Sequence, residues 1–540
     1  MSALAEPLAE LLNRMNGEDS PPLVAAVRKL CLALSEGHVC LPLHQLGTGA
    51  AAALESCRVV GRPGEVRPLI IEHGNLYLSR YQQYEARLAA QLHARASHAD
   101  PAPDKVLSLR LRKMTSDADQ QRAVISALRR RLTIITGGPG TGKTRTATIA
   151  LTLLAEHLRS ASPRIALAAP TGKAAARLST SLIETMGQFD VHAGVRASLQ
   201  ARACTLHRLL GATAGESQFR HHAGRPLPVD VLVVDEASMI DLPLMTKLLD
   251  ALRPDARLIL LGDRDQLASV EAGHVLGDIC AAATGDLLEC VTELTTNHRF
   301  DAESGIHQLA QLVRSGDEEG TTELLNSRVA DLTARRLPHR VVEALANPLA
   351  AGWRAVAEAP SPEAALERMG DFRILCAVRD GPHGVKQVNR AAEQVLSAAG
   401  LIAPTGAFYP SRPILILRND YQLRLFNGDL GIVRRDPSGE LRAFFLGENG
   451  ETRSVATARL PEHETAHAMT VHKAQGSEFH TVLLIVPEMD SPVLTRELLY
   501  TGITRARRHA QIWWTEPTLA AALRRQVVRW SGLRARMQPR

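Results

Sequence analysis

One octapeptide constrains this chain more than any other feature: Gly137-Gly138-Pro139-Gly140-Thr141-Gly142-Lys143-Thr144 fits G-x-x-x-x-G-K-[ST]. It follows the β-forming run Leu132-Thr133-Ile134-Ile135-Thr136 and opens a helix-like stretch, which is the setting in which such a loop cradles phosphate. The glycines let successive backbone N–H groups face one anion, Lys143 is expected to reach the β and γ oxygens, and the Thr144 hydroxyl to ligate Mg2+. Residues Gly137 to Thr144, with Arg145 behind them, are therefore the expected seat of ATP.

Three further apolar runs, Ile165 to Ala169, Val231 to Val234 and Leu258 to Leu261, are short and continuous, as strands buried on both faces of a parallel sheet must be. A doubly wound α/β domain follows. The run Val231 to Val234 ends in Asp235-Glu236, at the strand terminus where such sheets present ligands. Asp235 is expected to hold hydrated magnesium and Glu236 to orient and deprotonate water. A P-loop with two acids still leaves kinases, transporters and many ATPases open. Gln266, in Leu261-Gly262-Asp263-Arg264-Asp265-Gln266-Leu267, is a candidate γ-phosphate sensor. Arg299 and Arg505 are candidate arginine fingers from a second domain.

A second α/β series begins near 290 and includes Phe372 to Ala377 and Val482 to Val486. Between about 411 and 465 the pattern turns hairpin-like, with N-G-D and D-P-S-G turns, and predicts a small β-barrel inserted in that domain. Residues 1–96 read as Ala- and Leu-rich helices broken by G-R-P-G at 61–64, and the polar stretch from Ser97 to Pro103 as a linker. The expected division is 1–108, a helical domain; 109–288, a first α/β domain with a candidate β-hairpin at 212–228; and 289–540, a second α/β domain carrying the 411–465 insertion.

A chain of 540 residues exceeds one hydrophobic core. Its charge of +6, with Arg far outnumbering Lys, suits phosphate contacts but is too dilute to identify a partner. Seven scattered cysteines with no C-x-x-C pair indicate neither a zinc ribbon nor a disulfide framework. No leader or apolar run of 18 residues is seen, so a cytoplasmic protein with reduced thiols is expected.

The ordered motifs over residues 120–508 resemble those of superfamily 1 helicases, a resemblance that implies two RecA-like motor domains at 109–288 and 289–540, an SH3-like form for the inserted barrel and a partner-binding role for 1–108. Gln120 matches the adenine-reading glutamine. Pro170-Thr171-Gly172-Lys173-Ala174-Ala175 and Thr205-Leu206-His207-Arg208-Leu209-Leu210 match DNA-contacting motifs of the first motor domain. Thr470-Val471-His472-Lys473-Ala474-Gln475-Gly476-Ser477-Glu478-Phe479 matches motif V, which adds Glu478 to the expected nucleotide contacts. Thr171, Lys173, His207, Thr470, His472 and Lys473 are short polar or cationic groups suited to backbone phosphates without base readout. More narrowly, Gly37 to Leu43, Cys376 to Val385 and Phe426 to Gly431 resemble the RecD family, the alpha subunits of exodeoxyribonuclease V. That resemblance implies a 5' to 3' motor on single- and double-stranded DNA ends, beta and gamma partner subunits in a heterotrimer that resects double-strand breaks, and a nuclease residing in the beta subunit. A free-standing RecD-like helicase and an ATP-gated DNA clamp without unwinding are the alternatives.

Overall fold

The computed structural model describes residues 4–157, 163–189, 191, 196, 202–213, 218–420, 422–447 and 451–538. A six-stranded parallel sheet organises the first motor domain, in the order Val291–Glu293, Leu132–Thr136, Arg257–Gly262, Val231–Val234, Ile165–Ala169, Cys204–Thr205. Alternate residues of each central strand feed different cores. Leu132, Ile134, Leu258 and Leu260 enter one; Ile135, Ile259 and Leu261 enter the other. That two-sided burial explains why the runs are continuously apolar in sequence.

The second motor domain repeats the plan with five parallel strands, in the order Leu332–Arg336, Ala506–Trp514, Phe479–Ile485, Phe372–Cys376, Ala468–Thr470. Leu375 and Leu484 pack on one face, Ile374 and Leu483 on the other. Between 413 and 465 lies a five-stranded antiparallel sheet around Ile414, Ile416, Val433 and Phe445. Among the described residues no ladder joins its outer strands, so the expected barrel is seen as a sheet.

The expected N-terminal domain needs correction. Helices Ala5–Asn16, Pro21–Ser35, Ala50–Glu55 and Ser79–Ala96 accompany a four-stranded sheet, Leu41–Pro42, Asn75–Leu78, Leu69–Glu72 and Val60–Gly61. Two- to four-residue strands carry too little alternation to be read from sequence. The boundaries shift as well. Position 108 falls inside helix Lys105–Met114, whose Leu107, Leu111 and Met114 belong to the first motor core. Position 288 leaves strand Val291–Glu293 outside the sheet it joins.

The C-terminal tail does not end on the second motor domain. Trp530 stacks on His38 with ring centroids 4.0 Å apart and packs against both the N-terminal core and the first motor core. Glu85, fully buried, accepts hydrogen bonds from the Ser531 hydroxyl and the Gly532 amide, each at 2.9 Å. Arg536 pairs with Glu72. Of the candidate hairpin at 212–228, residues 214–217 lie outside the described residues; the remainder holds one bridged turn, His222 to Arg225.

No helix among the described residues is long and apolar enough to cross a membrane.

Candidate functional site: a nucleotide cleft between two motor domains

The phosphate loop leaves strand Leu132–Thr136 and enters helix Lys143–His157, with Gly140 and Gly142 at φ +85° and +86°. A Cβ at Gly140 would meet the Arg299 side chain at 2.6 Å, and one at Gly142 the Gln120 amide at 2.8 Å. Both positions thus need glycine for conformation and for space. Lys143 donates to the carbonyls of Gly137 (2.6 Å) and Gly138 (3.0 Å), curling over its own loop. Burial lowers its pKa, against the pull of Asp263, Glu236 and Asp235. Gly137, Gly138 and Thr141 form the back of the loop, the Thr141 hydroxyl donating to Gly138 O at 2.9 Å.

Strand Val231–Val234 is completely buried and delivers Asp235 and Glu236 to the cleft mouth. The Asp235 amide donates to Ala168 O on the neighbouring strand. Its carboxyl accepts from the Glu236 amide at 2.8 Å, and burial, with Glu236 beside it, pushes it up to about 6. Glu236 sits at φ +52°, a left-handed conformation that a residue with a Cβ adopts only under strain, as residues at working sites often do.

A cleft of about 260 Å³ is lined by Gly140, Lys143, Thr144, Arg145, Asp235, Glu236 and Gln266 of the first domain and by Arg299, Glu478 and Arg505 from beyond it. Gln120, whose amide nitrogen sits on the helix capped by Asp117, contacts His298 Nε2 at 3.2 Å, and His298 lines the same cleft. Gln266 donates to Asp263 at 3.0 Å, and Tyr500 of the second domain donates to the same carboxylate at 3.0 Å. The Leu267 amide donates to Thr501 Oγ1 (3.0 Å), and Gln475 donates to Leu267 O (2.9 Å). The segment carrying the expected phosphate sensor is therefore bonded directly to the second domain.

The arginines are held rather than free. Glu478, buried, receives Arg177 (2.6 Å), Arg299 (2.9 Å) and Arg507 (2.7 Å), and these cations hold its carboxyl far below the usual range against its burial. Glu478, expected among the nucleotide contacts, lines the cleft as the hub of these three ion pairs. Arg299 uses NH2 on this hub, while its buried NH1 has no hydrogen-bond partner among the described residues. Arg505, buried, donates to the carbonyls of Thr501 and Ser477. A lysine and an arginine donor facing buried carboxylates, with one donor orphaned, is a donor set that fits a polyphosphate. Thr144 and Asp235 together fit the oxygen-donor preference of magnesium.

Of the expected DNA contacts, Thr171 caps helix Gly172–Met186, and a Cβ at Gly476 would lie 3.4 Å from its hydroxyl. The two motifs from the two domains therefore abut. The Thr470 hydroxyl accepts from the Lys473 amide, and Lys473 donates to Asn427 of the inserted sheet at 2.7 Å. Thr470 and His472 line a separate groove at the C-terminal ends of the second sheet, and burial lowers the His472 pKa. His207 packs edge-on against Phe219, with centroids 5.7 Å apart. Arg177, Asp263, His298 and Tyr500 were not singled out in the sequence. Arg177 had one signal, standing one helical turn after Lys173 on the same face.

Residues 120–272 match the model of an AAA domain, and residues 465–512 that of a UvrD-like helicase C-terminal domain. The chain is 40% identical to RecBCD enzyme subunit RecD of Mycobacterium tuberculosis, covering 98% of this chain and 94% of that protein. Identity to the same subunit of Mycolicibacterium smegmatis is 39%, over 98% and 96%. The ATP-dependent RecD2 DNA helicase of Deinococcus radiodurans is 32% identical over 89% of this chain and 64% of its own length. A crystal structure of Bacteroides Pif1 helicase with ADP-AlF3 and single-stranded DNA aligns over 78% of this chain and 94% of its own at 16% identity and a TM-score of 0.40.

Proposed function

The chain belongs to the RecD family of superfamily 1 helicases and is an ATP-dependent DNA helicase, and from that premise we propose that it is the alpha subunit of an exodeoxyribonuclease V complex, moving 5' to 3' on one strand of a DNA end. Its partners are the beta and gamma subunits, and its cellular role is resection of double-strand breaks for recombination. The nuclease belongs to the beta subunit. The observation that carries the motor reading is the cleft shared by the two α/β domains, with Lys143, Asp235, Glu236 and Gln266 on one side and Arg299 and Arg505 on the other.

Within that cleft Thr144 and Asp235 would hold Mg2+, which, when bound with ATP, neutralises developing charge on the phosphoryl oxygens. Lys143 would leave its loop carbonyls for the β and γ oxygens. Glu236 would accept the proton of the attacking water. Arg299 would turn its orphaned NH1, and Arg505 its guanidinium, toward the γ-phosphoryl group. Gln266 would report loss of that group through Asp263, Tyr500 and the Leu267–Thr501 bond, giving a path from hydrolysis to domain movement. Thr171, Lys173, His207, Thr470, His472 and Lys473 would track the strand by its phosphates.

Strand displacement on duplexes carrying a 5' or a 3' tail, with and without ATP, tests this reading. Unwinding confined to the 5'-tailed duplex is expected. ATP-dependent binding without displacement would establish the clamp alternative. Co-purification with the beta and gamma subunits separates the complex subunit from a free-standing helicase.

A further inference from the structure

The chain crosses from the first motor domain to the second between Leu294, which packs in the first core, and Ile306, which packs in the second. Residues 294–304 form no helix or strand on the way. Without a ladder of its own, such a crossing must place its backbone through side-chain bonds and turns. Arg299 lies within it, so whatever fixes the crossing also fixes an arginine of the nucleotide cleft.

Asn297 supplies those bonds around the arginine. Its Oδ1 accepts from the amides of Arg299 at 2.9 Å and Phe300 at 3.0 Å, folding the crossing into a turn. Its Nδ2 donates to Pro139 O of the phosphate loop at 3.2 Å. The same nitrogen comes within 3.5 Å of His307 Nδ1 on helix Gly305–Ser315, whose Ile306 and Leu309 pack in the second core. The adjoining His298 amide donates to Gly140 O at 2.9 Å. One side chain thus joins the Arg299 backbone, the phosphate loop and the second domain.

Thr295 also ties the crossing down, its amide and hydroxyl donating to Asp119 at 3.2 and 2.8 Å, but these bonds are exposed and water competes for them. Asn297 is half-buried and lines a separate cavity of about 80 Å³ with Pro139, Thr141 and Tyr500. Its influence on the nucleotide cleft therefore runs through Arg299.

We propose, on the reading of Arg299 as an arginine finger, that Asn297 is a positioning residue for ATP hydrolysis, pinning the finger's backbone to the phosphate loop. Glu478 holds the guanidinium end and Asn297 the backbone end. Once Arg299 leaves Glu478 for phosphate, the backbone anchor decides where the finger points.

The test is a double-mutant cycle on the full chain, reading kcat and KM of DNA-stimulated ATP hydrolysis and, by calorimetry, ADP affinity. Asn297→Ala should lower kcat roughly 10- to 100-fold, the scale on which a misplacement of about 1 Å acts, with ADP affinity nearly unchanged. Added to Arg299→Ala it should cost little more, because a group that works through the finger then has nothing left to aim. If Asn297→Ala does not fold, Asn297→Ser, whose hydroxyl can still accept from the two amides, carries the same cycle with a smaller loss. Equal losses in both backgrounds overturn the proposal, as does a fall in ADP affinity that matches the fall in kcat, which would make Asn297 a support of the phosphate loop. Wild-type kcat in Asn297→Ala beside an impaired Arg299→Ala overturns the positioning role alone. Wild-type kcat in Arg299→Ala removes the finger itself, and the positioning role with it, so the two failures are read from different variants.

Discussion

At the scale of single residues, the cleft concentrates work in Glu236, which alone among its acids combines a left-handed backbone with a place facing both domains. Glu236→Gln keeps the side-chain shape and the Asp235 neighbour but cannot take a proton. Turnover should fall at least about 100-fold, the usual worth of a positioned base, with nucleotide affinity nearly unchanged. Steady-state ATPase rates beside ADP titrations check this, and a wild-type rate would remove Glu236 from the chemistry. The P-loop, the two acids and Gln266 were legible because their spacing is local and dictated by phosphate and metal geometry. The hub role of Glu478 was not, because it depends on Arg177, 301 residues away in sequence.

Among the elements, the C-terminal tail is the most exacting. Trp530 loses its His38 stack and its two-core packing on replacement by alanine. A half-buried aromatic of this kind is worth about 2 kcal/mol, below the 3–5 kcal/mol of a fully buried one. Trp530→Ala should therefore expose the N-terminal region to protease at concentrations the wild type survives. Beneath the tail, burial pushes the Asp278 carboxyl up to about 7, Glu85 adding to the rise and the Ser531 hydroxyl opposing it. A folded-state pKa above the unfolded value of 3.8 means the folded protein binds a proton the unfolded chain has lost. Stability from this group falls as pH rises from about 4 to 7. Asp278→Asn should accordingly raise the melting temperature at pH 8 and change it little at pH 5; equal effects at both would refute the linkage. The motor strands were legible because burial on both faces leaves a continuous apolar run. The N-terminal strands, such as Leu41–Pro42 and Val60–Gly61, are too short to leave any period, and the tail's contacts leave no local trace at all.

For the molecule as a whole, the hub at Glu478 ties Arg177 of the first motor domain to Arg299 and Arg507 across the cleft. Glu478→Gln leaves three arginines, 38%, 22% and 48% exposed, facing one another without their shared buried counter-charge, a destabilisation that water reaching Arg177 and Arg507 partly offsets. Its melting temperature should drop most without nucleotide and recover in saturating ADP, whose phosphates would offer the arginines a new counter-charge. A drop of equal size in both conditions would confine Glu478 to a structural role. The order of events during synthesis follows from another long-range pair. Glu85 receives the Gly532 amide across 447 residues. At about 5–20 residues per second, the ribosome takes roughly 20 to 90 s to deliver that amide after Glu85 has been made. Throughout that interval the nascent N-terminal region carries an unsealed carboxylate and an uncovered His38 ring, so its final fold waits on the arrival of the segment around Trp530 and not on its own emergence.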